Sequence, residues 1–147
     1  MTQGERIAAA AKTWLGTPYA NNSMAKGYGV DCAHLLLGTL IDSGLLQEED
    51  MIIEYYPNEW HLHRSEERFI ENIEKVAYEV DNPQIGDFLL YQYGRTISHG
   101  AILVDKDTVI HAFVDLGVIM SKTDDILFYD NRGRHRLRRI YRFKGGE

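Results

Sequence analysis

The chain contains one cysteine and six histidines, the residue types best suited to nucleophilic chemistry. Cys32 follows Asp31 in the stretch GYGVDCAHLLL, with glycines before it and an apolar run after it. This pattern predicts a cysteine at a helix start, where backbone N–H groups and the helix dipole favour a thiolate. A catalytic thiolate also needs an imidazole from elsewhere in the chain and a third group that orients it. Alternatively, Cys32 is a small buried residue without reactivity.

His99 and His111 are the best candidates for this imidazole and its orienting group. His99 opens the predicted strand SHGAILVD, and His111 lies within the next predicted strand, TVIHAFV. The connection DKDT is turn-like, so we expect a hairpin in which the two rings are near-opposite and hydrogen-bond on one face. The spacing fits equally well a His111 that is simply a core histidine.

The other four histidines are weaker candidates. His34 lies two residues after Cys32 and should point to the far side of a helix. His61 and His63 share one face of an extended segment, like half of a metal site, but no further ligand follows at a recognisable spacing. His135 lies in a basic segment and is interpreted as solvated. The histidine pattern therefore gives only a weak signal of a metal site.

Helices precede strands along the chain. Capping-box spacing at Thr2 and Glu5 begins a first helix, a second runs from about Asp31 to Ser43, and a third begins near Ser65. Short β-branched and aromatic runs then predict five strands: DFLLYQY, GAILVD, TVIHAFV, GVIMS and RLRRIYRF. The sequence therefore predicts an α+β fold in a single domain, residues 1–147, with N-terminal helices packed on a C-terminal antiparallel sheet.

Composition narrows the class of protein. The 147 residues are 44% hydrophobic and 26% charged, as in an ordinary soluble domain. No apolar run approaches the ~20 residues of a membrane span, and the N-terminus lacks the pattern of a secretory signal. A single cysteine excludes an intramolecular disulfide and fits synthesis in a reducing cytoplasm.

The net charge of −6 is unevenly distributed. Residues 132–147 contain seven Arg and Lys residues and one Glu. Basic runs of this kind bind nucleic acid in some proteins. The alternation of side chains instead favours a final strand with a solvated basic face, so we expect no nucleic-acid partner.

Several motifs together resemble the NlpC family of papain-like bacterial cell-wall cysteine peptidases. They are, in chain order, GTPYANNSMAKGYGVDCAHLLLGTL, PQIGDFLLY and SHGAILVDKDTVIHAF. The resemblance spans most of residues 13–115. The small size and the short histidine segment are similar to the phage branch of the family, which contains cell-wall peptidases and tail-assembly proteins.

The resemblance implies a role for each matching residue. Cys32 matches the nucleophile, His99 the general base and His111 the group that orients this base. Tyr19 matches a tyrosine whose hydroxyl lies near the oxyanion, and Asp31 an aspartate that helps to receive the free amino end of a murein peptide. Family members cut the bond between D-γ-glutamate and meso-diaminopimelate or lysine in peptidoglycan stem peptides.

The sequence departs from the usual family pattern in three places. Ala33 and His34 replace a Ser-Gly pair after the nucleophile, and the larger side chain at 34 should narrow or reshape the cleft. Asn21 and Asn22 replace a Gly pair, which asparagine tolerates because it adopts left-handed backbone more readily than most residues. The residues after His99 also differ from the usual Val-Gly. These departures concern the choice of substrate more than activity.

The resemblance implies a cysteine endopeptidase that needs no metal or organic cofactor. Its implied partners are peptidoglycan stem peptides and phage tail proteins. We expect synthesis in the cytoplasm without a signal peptide, then incorporation into a virion or release to the cell wall. Three alternatives stay open. They are a tail-assembly structural protein with the same fold and little activity, a Cys-His-His amidase or acyltransferase on another acyl substrate, and a metal-dependent hydrolase that uses His61 and His63.

Overall fold

The computed structural model describes residues 1–47, 70–71 and 73–144. Its helices and strands are, in chain order, α1 Gln3–Lys12, β1 Met24–Ala25, β2 Gly29–Val30, α2 Cys32–Asp42, β3 Ala77–Glu79, β4 Phe88–Tyr93, β5 Thr96–Asp105, β6 Thr108–Phe113, β7 Gly117–Lys122 and β8 Leu137–Phe143. Strands β3 to β8 form an antiparallel sheet in the order β3-β8-β4-β5-β6-β7, and β1 pairs with β2. This confirms the predicted α+β arrangement.

The first helix begins at the predicted capping box. The hydroxyl of Thr2 accepts a hydrogen bond from the backbone N–H of Glu5 at 3.1 Å, and the Glu5 carboxylate accepts one from the backbone N–H of Thr2 at 2.9 Å. Just beyond the helix, the indole of Trp14 donates to the Asp42 carboxylate at 2.9 Å. This bond ties the C-terminal end of α1 to the C-terminal end of α2.

The main hydrophobic core lies between the two helices and one face of the sheet. Both helices pack on β5, and α2 also packs on β6. The α2 side chains Leu35, Leu36 and Leu40 are completely buried in this core. Because burying one leucine stabilises the fold by ~1.5–3 kcal/mol, these contacts hold α2 firmly against the sheet. The N-terminus of α2, where the only cysteine lies, is therefore fixed relative to β5.

A second hydrophobic cluster covers the other face of the sheet. Its buried members are Leu89, Tyr91, Ala101, Leu103, Val109 and Phe128. Phe128 belongs to a short 3₁₀ helix, Ile126–Phe128, and stacks on Tyr91 with ring centroids 4.6 Å apart. The segment between β7 and β8 therefore shields this face from water.

The strands differ from the prediction in two respects. β5 begins at Thr96, so His99 lies inside the strand rather than at its start. The turn at Gly94, with φ of +75°, joins β4 and β5 in a hairpin that extends the pairing beyond the expected strand start. β3 was not predicted, because three residues are too few for a recognisable alternation. It is formed by backbone pairing with β8.

The basic C-terminal segment is only partly solvated. Arg142 donates two hydrogen bonds to the carboxylate of Asp87, at 2.9 and 3.0 Å. The guanidinium of Arg136 lies 4.4 Å from the ring centroid of Tyr93. The interpretation of His135 as solvated was wrong. Its Nε2 donates to a backbone carbonyl at 2.9 Å and its ring stacks on Phe128 at 6.3 Å.

Residues 70–71 and 73–74 are helical, as expected for the third predicted helix, whose predicted start near Ser65 lies outside the described residues. Within the described ranges, no helix combines the length and apolar character that crossing a lipid bilayer requires.

Candidate active site

Cys32 is the first residue of α2, as the sequence predicts. The preceding Asp31 is the N-cap, with extended backbone at φ −104° and ψ 178°. Its Oδ1 accepts a hydrogen bond from the backbone N–H of His34 at 2.8 Å. A short carboxylate suits this position because it satisfies an N–H group that the helix leaves unpaired.

The thiol of Cys32 contacts the backbone of β5 on both sides of His99. It donates to the carbonyl of Ser98 at 3.5 Å, and the backbone N–H of Gly100 also hydrogen-bonds to the sulfur. Burial, followed by the negative charge of Asp31, raises the pKa of Cys32 to about 12, although the backbone N–H groups oppose this rise. The resting sulfur is therefore a neutral thiol, not the thiolate that its position at a helix start would favour alone.

The imidazoles of His99 and His111 are hydrogen-bonded, with Nε2 of His99 2.8 Å from Nδ1 of His111. The predicted contact is therefore present, but the near-opposite placement was wrong. The strands pair Ile102 with Ile110, and continuing this register places His111 across from Ala101. The rings thus meet diagonally, a distance that long or aromatic side chains still reach.

Aromatic rings surround His99 and keep it neutral. The ring centroids of Tyr93 and Phe113 lie 5.5 and 5.3 Å from that of His99. Burial, and next the neighbouring His111, lowers the pKa of His99 to about 3. Burial likewise lowers the pKa of His111 to about 4, opposed by the charge of Asp125. Both imidazoles are therefore uncharged near neutral pH, as a general base must be before it accepts a proton.

No hydrogen bond joins the sulfur of Cys32 to the ring of His99 within the part of the chain described. The sulfur is hydrogen-bonded to the backbone of β5, and Nε2 of His99 is hydrogen-bonded to Nδ1 of His111. Nδ1 is therefore the ring nitrogen that is left to act on a thiol. Catalytic hydrogen bonds are often long or misaligned in a protein without substrate, and they tighten in the complex.

Tyr19 lies in the loop beside the nucleophile. The loop is held against β2 by hydrogen bonds from Ala20 N–H to the Val30 carbonyl at 3.1 Å and from Val30 N–H to the Pro18 carbonyl at 3.0 Å. Burial raises the pKa of Tyr19 above its usual range, and the charged forms of Cys32 and Asp31 raise it further. The backbone of Tyr19 pairs with that of Val30, two residues before Cys32, and the Tyr19 hydroxyl stays protonated as a hydrogen-bond donor.

Gly117 allows the start of the same loop to lie against β7. The backbone there has φ of +78°, and a Cβ at this position would lie 2.6 Å from the carbonyl oxygen of Thr17. That carbonyl accepts from the backbone N–H of Val118 at 2.8 Å, and Gly16 N–H donates to the Val118 carbonyl at 3.0 Å. A larger residue at 117 would displace the loop that carries Tyr19.

The carboxylate of Asp31 is occupied by internal hydrogen bonds. Besides the backbone of His34, Oδ1 contacts Nδ1 of the His34 ring at 2.8 Å, and Oδ2 accepts from the backbone N–H of Asn22 at 2.8 Å. Asn22 has φ of +58°, which confirms that asparagine adopts left-handed backbone at this position. His34 therefore anchors Asp31, a contact that the sequence did not predict.

Ser121 is a further residue of the site that sequence reasoning missed. Its hydroxyl lies 2.9 Å from Nε2 of His111. In β7, Ser121 pairs with Val109, and His111 pairs with Ile119, so the contact is again diagonal. Alternation along the predicted strand GVIMS could have placed Ser121 on one of two faces. Only the register with β6 shows that it shares a face with His111.

The metal-site alternative rested on His61 and His63, which lie outside the described residues. Within the described ranges, no group of three or more His, Cys, Asp or Glu side chains is arranged to hold a metal ion.

Two buried neutral imidazoles predict a loss of stability at mildly acidic pH. The pKa values of His99 and His111 are lower in the folded protein than the ~6.5 of an unfolded chain, so below pH ~6.5 the unfolded state binds more protons. The free energy of unfolding should therefore fall as the pH falls from 6.5, with a slope of up to about 1.4 kcal/mol per pH unit for each imidazole.

Urea unfolding at several pH values between about 7 and 5 measures this slope. His111→Asn is the matched variant, because asparagine does not titrate and fits the same polar position. In this variant, the fall in the free energy of unfolding per pH unit should be about half of the wild-type value. An unchanged slope would contradict a buried, neutral His111.

Comparison with known proteins adds the family context. The family model described as NlpC/P60 family matches residues 16–136, a range that contains Tyr19, Asp31, Cys32, His99 and His111. Among curated proteins, none matches the sequence significantly.

Several solved structures share the fold. NlpC1 from Trichomonas vaginalis has a TM-score of 0.66 at 16% identity, over 98% of this chain and 45% of that chain. An NlpC/P60 family protein from Bacillus cereus has a TM-score of 0.65 at 16% identity, over 95% of this chain and 40% of that chain. The NlpC/p60 domain of the peptidoglycan hydrolase SagA has a TM-score of 0.53 at 21% identity, over 81% of this chain and 88% of that chain.

These structural similarities confirm the papain-like α+β fold predicted from the sequence. The chain spans less than half the length of the Trichomonas vaginalis and Bacillus cereus proteins.

Proposed function

The chain belongs to the NlpC/P60 family, and from this premise we propose that it is a cysteine endopeptidase. Its proposed substrate is the bond between D-γ-glutamate and diaminopimelate or lysine in peptidoglycan stem peptides. One observation carries the proposal: Cys32 begins α2 against the backbone of β5 beside His99, and His99 is hydrogen-bonded to His111 at 2.8 Å. The fold shared with the NlpC/p60 domain of the peptidoglycan hydrolase SagA supports the substrate class.

The first step is general-base catalysis, because both partners are neutral at rest. The thiol of Cys32 leaves the Ser98 carbonyl and transfers its proton to Nδ1 of His99. The sulfur forms a bond with the peptide carbonyl carbon, and the electron pair of the C=O bond moves to oxygen. His111 holds the imidazolium of His99 through the bond at Nε2.

Tyr19 and the backbone N–H of Cys32 are the proposed donors to the negative oxygen. The raised pKa of Tyr19 keeps its hydroxyl protonated, so it donates to the oxyanion. Donors aimed at a developing charge act strongly because they are already in position when the charge forms. The intermediate then breaks the C–N bond, and His99 gives its proton to the leaving amine. Water hydrolyses the remaining thioester with His99 as base, which regenerates the thiol.

The test is hydrolysis of defined stem peptides. Purified protein is incubated with L-Ala-D-γ-Glu-diaminopimelate and with L-Ala-D-γ-Glu-L-Lys, and mass spectrometry follows the release of the third residue. Cleavage of either peptide at the γ-glutamyl bond supports the proposal, and the preferred peptide identifies the third residue. A protein that leaves both peptides intact but hydrolyses simple esters or lipid amides would refute it.

A second candidate is a Cys-His-His amidase or acyltransferase that acts on another acyl substrate. The observation that favours it is the state of Asp31, which is 2% exposed and already bonded to the His34 ring and to Asn22 N–H. A carboxylate held in this way is poorly placed to receive the amino end of a substrate, the role that the family resemblance implies. Comparing stem peptides with a free and with an acetylated amino end tests whether Asp31 receives the amine of the substrate. Equal cleavage of both would show that Asp31 serves as the helix cap and not as an amine receptor.

Delivery to the cell wall is a further part of the proposal. Association with phage tail proteins, incorporation into a virion and release to the wall are predictions from the sequence resemblance. Co-purification of the chain with intact phage particles would test them.

A further inference from the structure

Ser121 extends the pair of imidazoles to a row of three hydrogen-bonded groups. Nε2 of His99 is 2.8 Å from Nδ1 of His111, and Nε2 of His111 is 2.9 Å from the hydroxyl of Ser121. All three residues are buried, with His111 completely inaccessible and Ser121 7% exposed. The row runs across three neighbouring strands, β5, β6 and β7, on the face of the sheet opposite to α1 and α2.

The protons in this row have two possible orders. A neutral imidazole has one N–H donor and one acceptor nitrogen, and both ring nitrogens of His111 are engaged. In the first order, His99 donates to His111 and His111 donates to Ser121, so Nδ1 of His99 has a free electron pair. In the second order, Ser121 donates to His111 and His111 donates to His99, so Nδ1 of His99 already carries a proton.

Only the first order lets His99 take the proton of Cys32. We propose that Ser121 is a positioning residue that selects this order by accepting a hydrogen bond from Nε2 of His111. The inference rests on the proposed roles of Cys32 and His99 as nucleophile and base. A serine hydroxyl suits the task because it accepts this bond while its own proton rotates to another direction.

The same order is kept throughout the reaction. When the thiol proton reaches Nδ1 of His99, the imidazolium carries N–H on both nitrogens, and its Nε2–H still donates to His111. No proton moves along the row from His99 to Ser121. Ser121 therefore acts on the tautomer and orientation of the base, and it does not contact the substrate.

Two substitutions separate this role from simple packing. Ser121→Ala removes the acceptor with little change in volume, and Ser121→Thr keeps the hydroxyl on a residue that suits a strand. We expect Ser121→Ala to lower kcat for stem-peptide hydrolysis about tenfold, equivalent to about 1.4 kcal/mol, with KM unchanged. Ser121→Thr should restore kcat to nearly the wild-type value. If alanine prevents folding, Ser121→Cys replaces it, because a thiol is a much weaker acceptor.

Nitrogen-15 NMR of the histidine rings supplies a readout that does not depend on turnover. In the wild type, we expect His99 and His111 both to be protonated at Nε2, and Ser121→Ala should give His111 a mixture of tautomers. A wild-type His111 protonated at Nδ1, or an unchanged kcat in Ser121→Ala, would overturn the inference. Failure of the proposed function looks different: the wild type leaves the stem peptides intact while both rings are still protonated at Nε2.

Discussion

Replacing Cys32 with alanine should reduce kcat for stem-peptide hydrolysis by on the order of 10⁴–10⁶-fold, the scale seen when a catalytic nucleophile is removed. The chain has no second cysteine that could take over the role. The loss should appear in kcat, because the sulfur acts on the reacting carbon and contributes little to binding the rest of the peptide. Steady-state assays with the preferred stem peptide measure the change.

The fold should survive this substitution. The sulfur hydrogen-bonds to backbone groups of β5, at Ser98 and Gly100, and alanine is a good residue for the first turn of a helix. Cys32→Ser is the matched variant, because it replaces the thiol with a hydroxyl of similar shape that is a much poorer nucleophile. Near-normal hydrolysis by either variant, with an unchanged melting temperature, would rule out Cys32 as the nucleophile.

The neutral state of the thiol also determines how Cys32 responds to alkylating reagents. Its pKa is raised to about 12, and the residue is 8% exposed. We therefore expect iodoacetamide to modify Cys32 more slowly than a free cysteine, even in an active enzyme. Slow alkylation does not argue for a structural tail component without activity, and peptide hydrolysis is the deciding measurement.

Replacing His99 with glutamine should reduce kcat by about 10²–10⁴-fold, the contribution typical of a general base. Glutamine retains polar atoms in the strand but cannot accept the thiol proton near neutral pH. The pKa of His99 is lowered to about 3, so the wild-type base stays unprotonated well into the acid range. Protonation of His99 should consequently cause no loss of wild-type kcat between pH 8 and pH 6.

The matched control for this substitution is His135→Gln. His135 lies against Phe128 in the same aromatic cluster, but its ring nitrogens bond to backbone groups and not to the candidate site. His135→Gln should therefore leave kcat nearly unchanged. If His99→Gln and His135→Gln have equal effects on kcat, the assignment of His99 as the base is wrong.

Local sequence determined the helix starts and the order of elements. Thr2 with Glu5 and Asp31 with His34 each satisfy backbone groups within a few residues, so short-range chemistry fixes both helix starts. The apolar and β-branched runs after Pro83 likewise predicted β4 to β8 closely, because alternation is a local property. The position of Cys32 at the start of α2 could therefore be predicted from the sequence alone.

The motif pattern also indicated the candidate residues. Tyr19, Asp31, Cys32, His99 and His111 were selected by residue type, spacing and family resemblance, and all five lie within the range that matches the family. The sequence could not show that Asp31 is held by the His34 ring, because two residues on a helix do not reveal which rotamers their side chains adopt. It also could not place Ser121 beside His111.

The tertiary structure decided what depends on strand register and burial. Residues far apart in sequence meet only when particular strands pair, as when β8 inserts between β3 and β4. A shift of one residue in the pairing register would move every side chain of a strand to the opposite face of the sheet. Burial then set the charge states: it raised the pKa of Cys32 and lowered those of His99 and His111. Sequence alone determined which groups the chain offers for chemistry. Only the fold determined that they are neutral at rest and which of them are hydrogen-bonded to one another, because desolvation and nonlocal contacts arise from the packed protein.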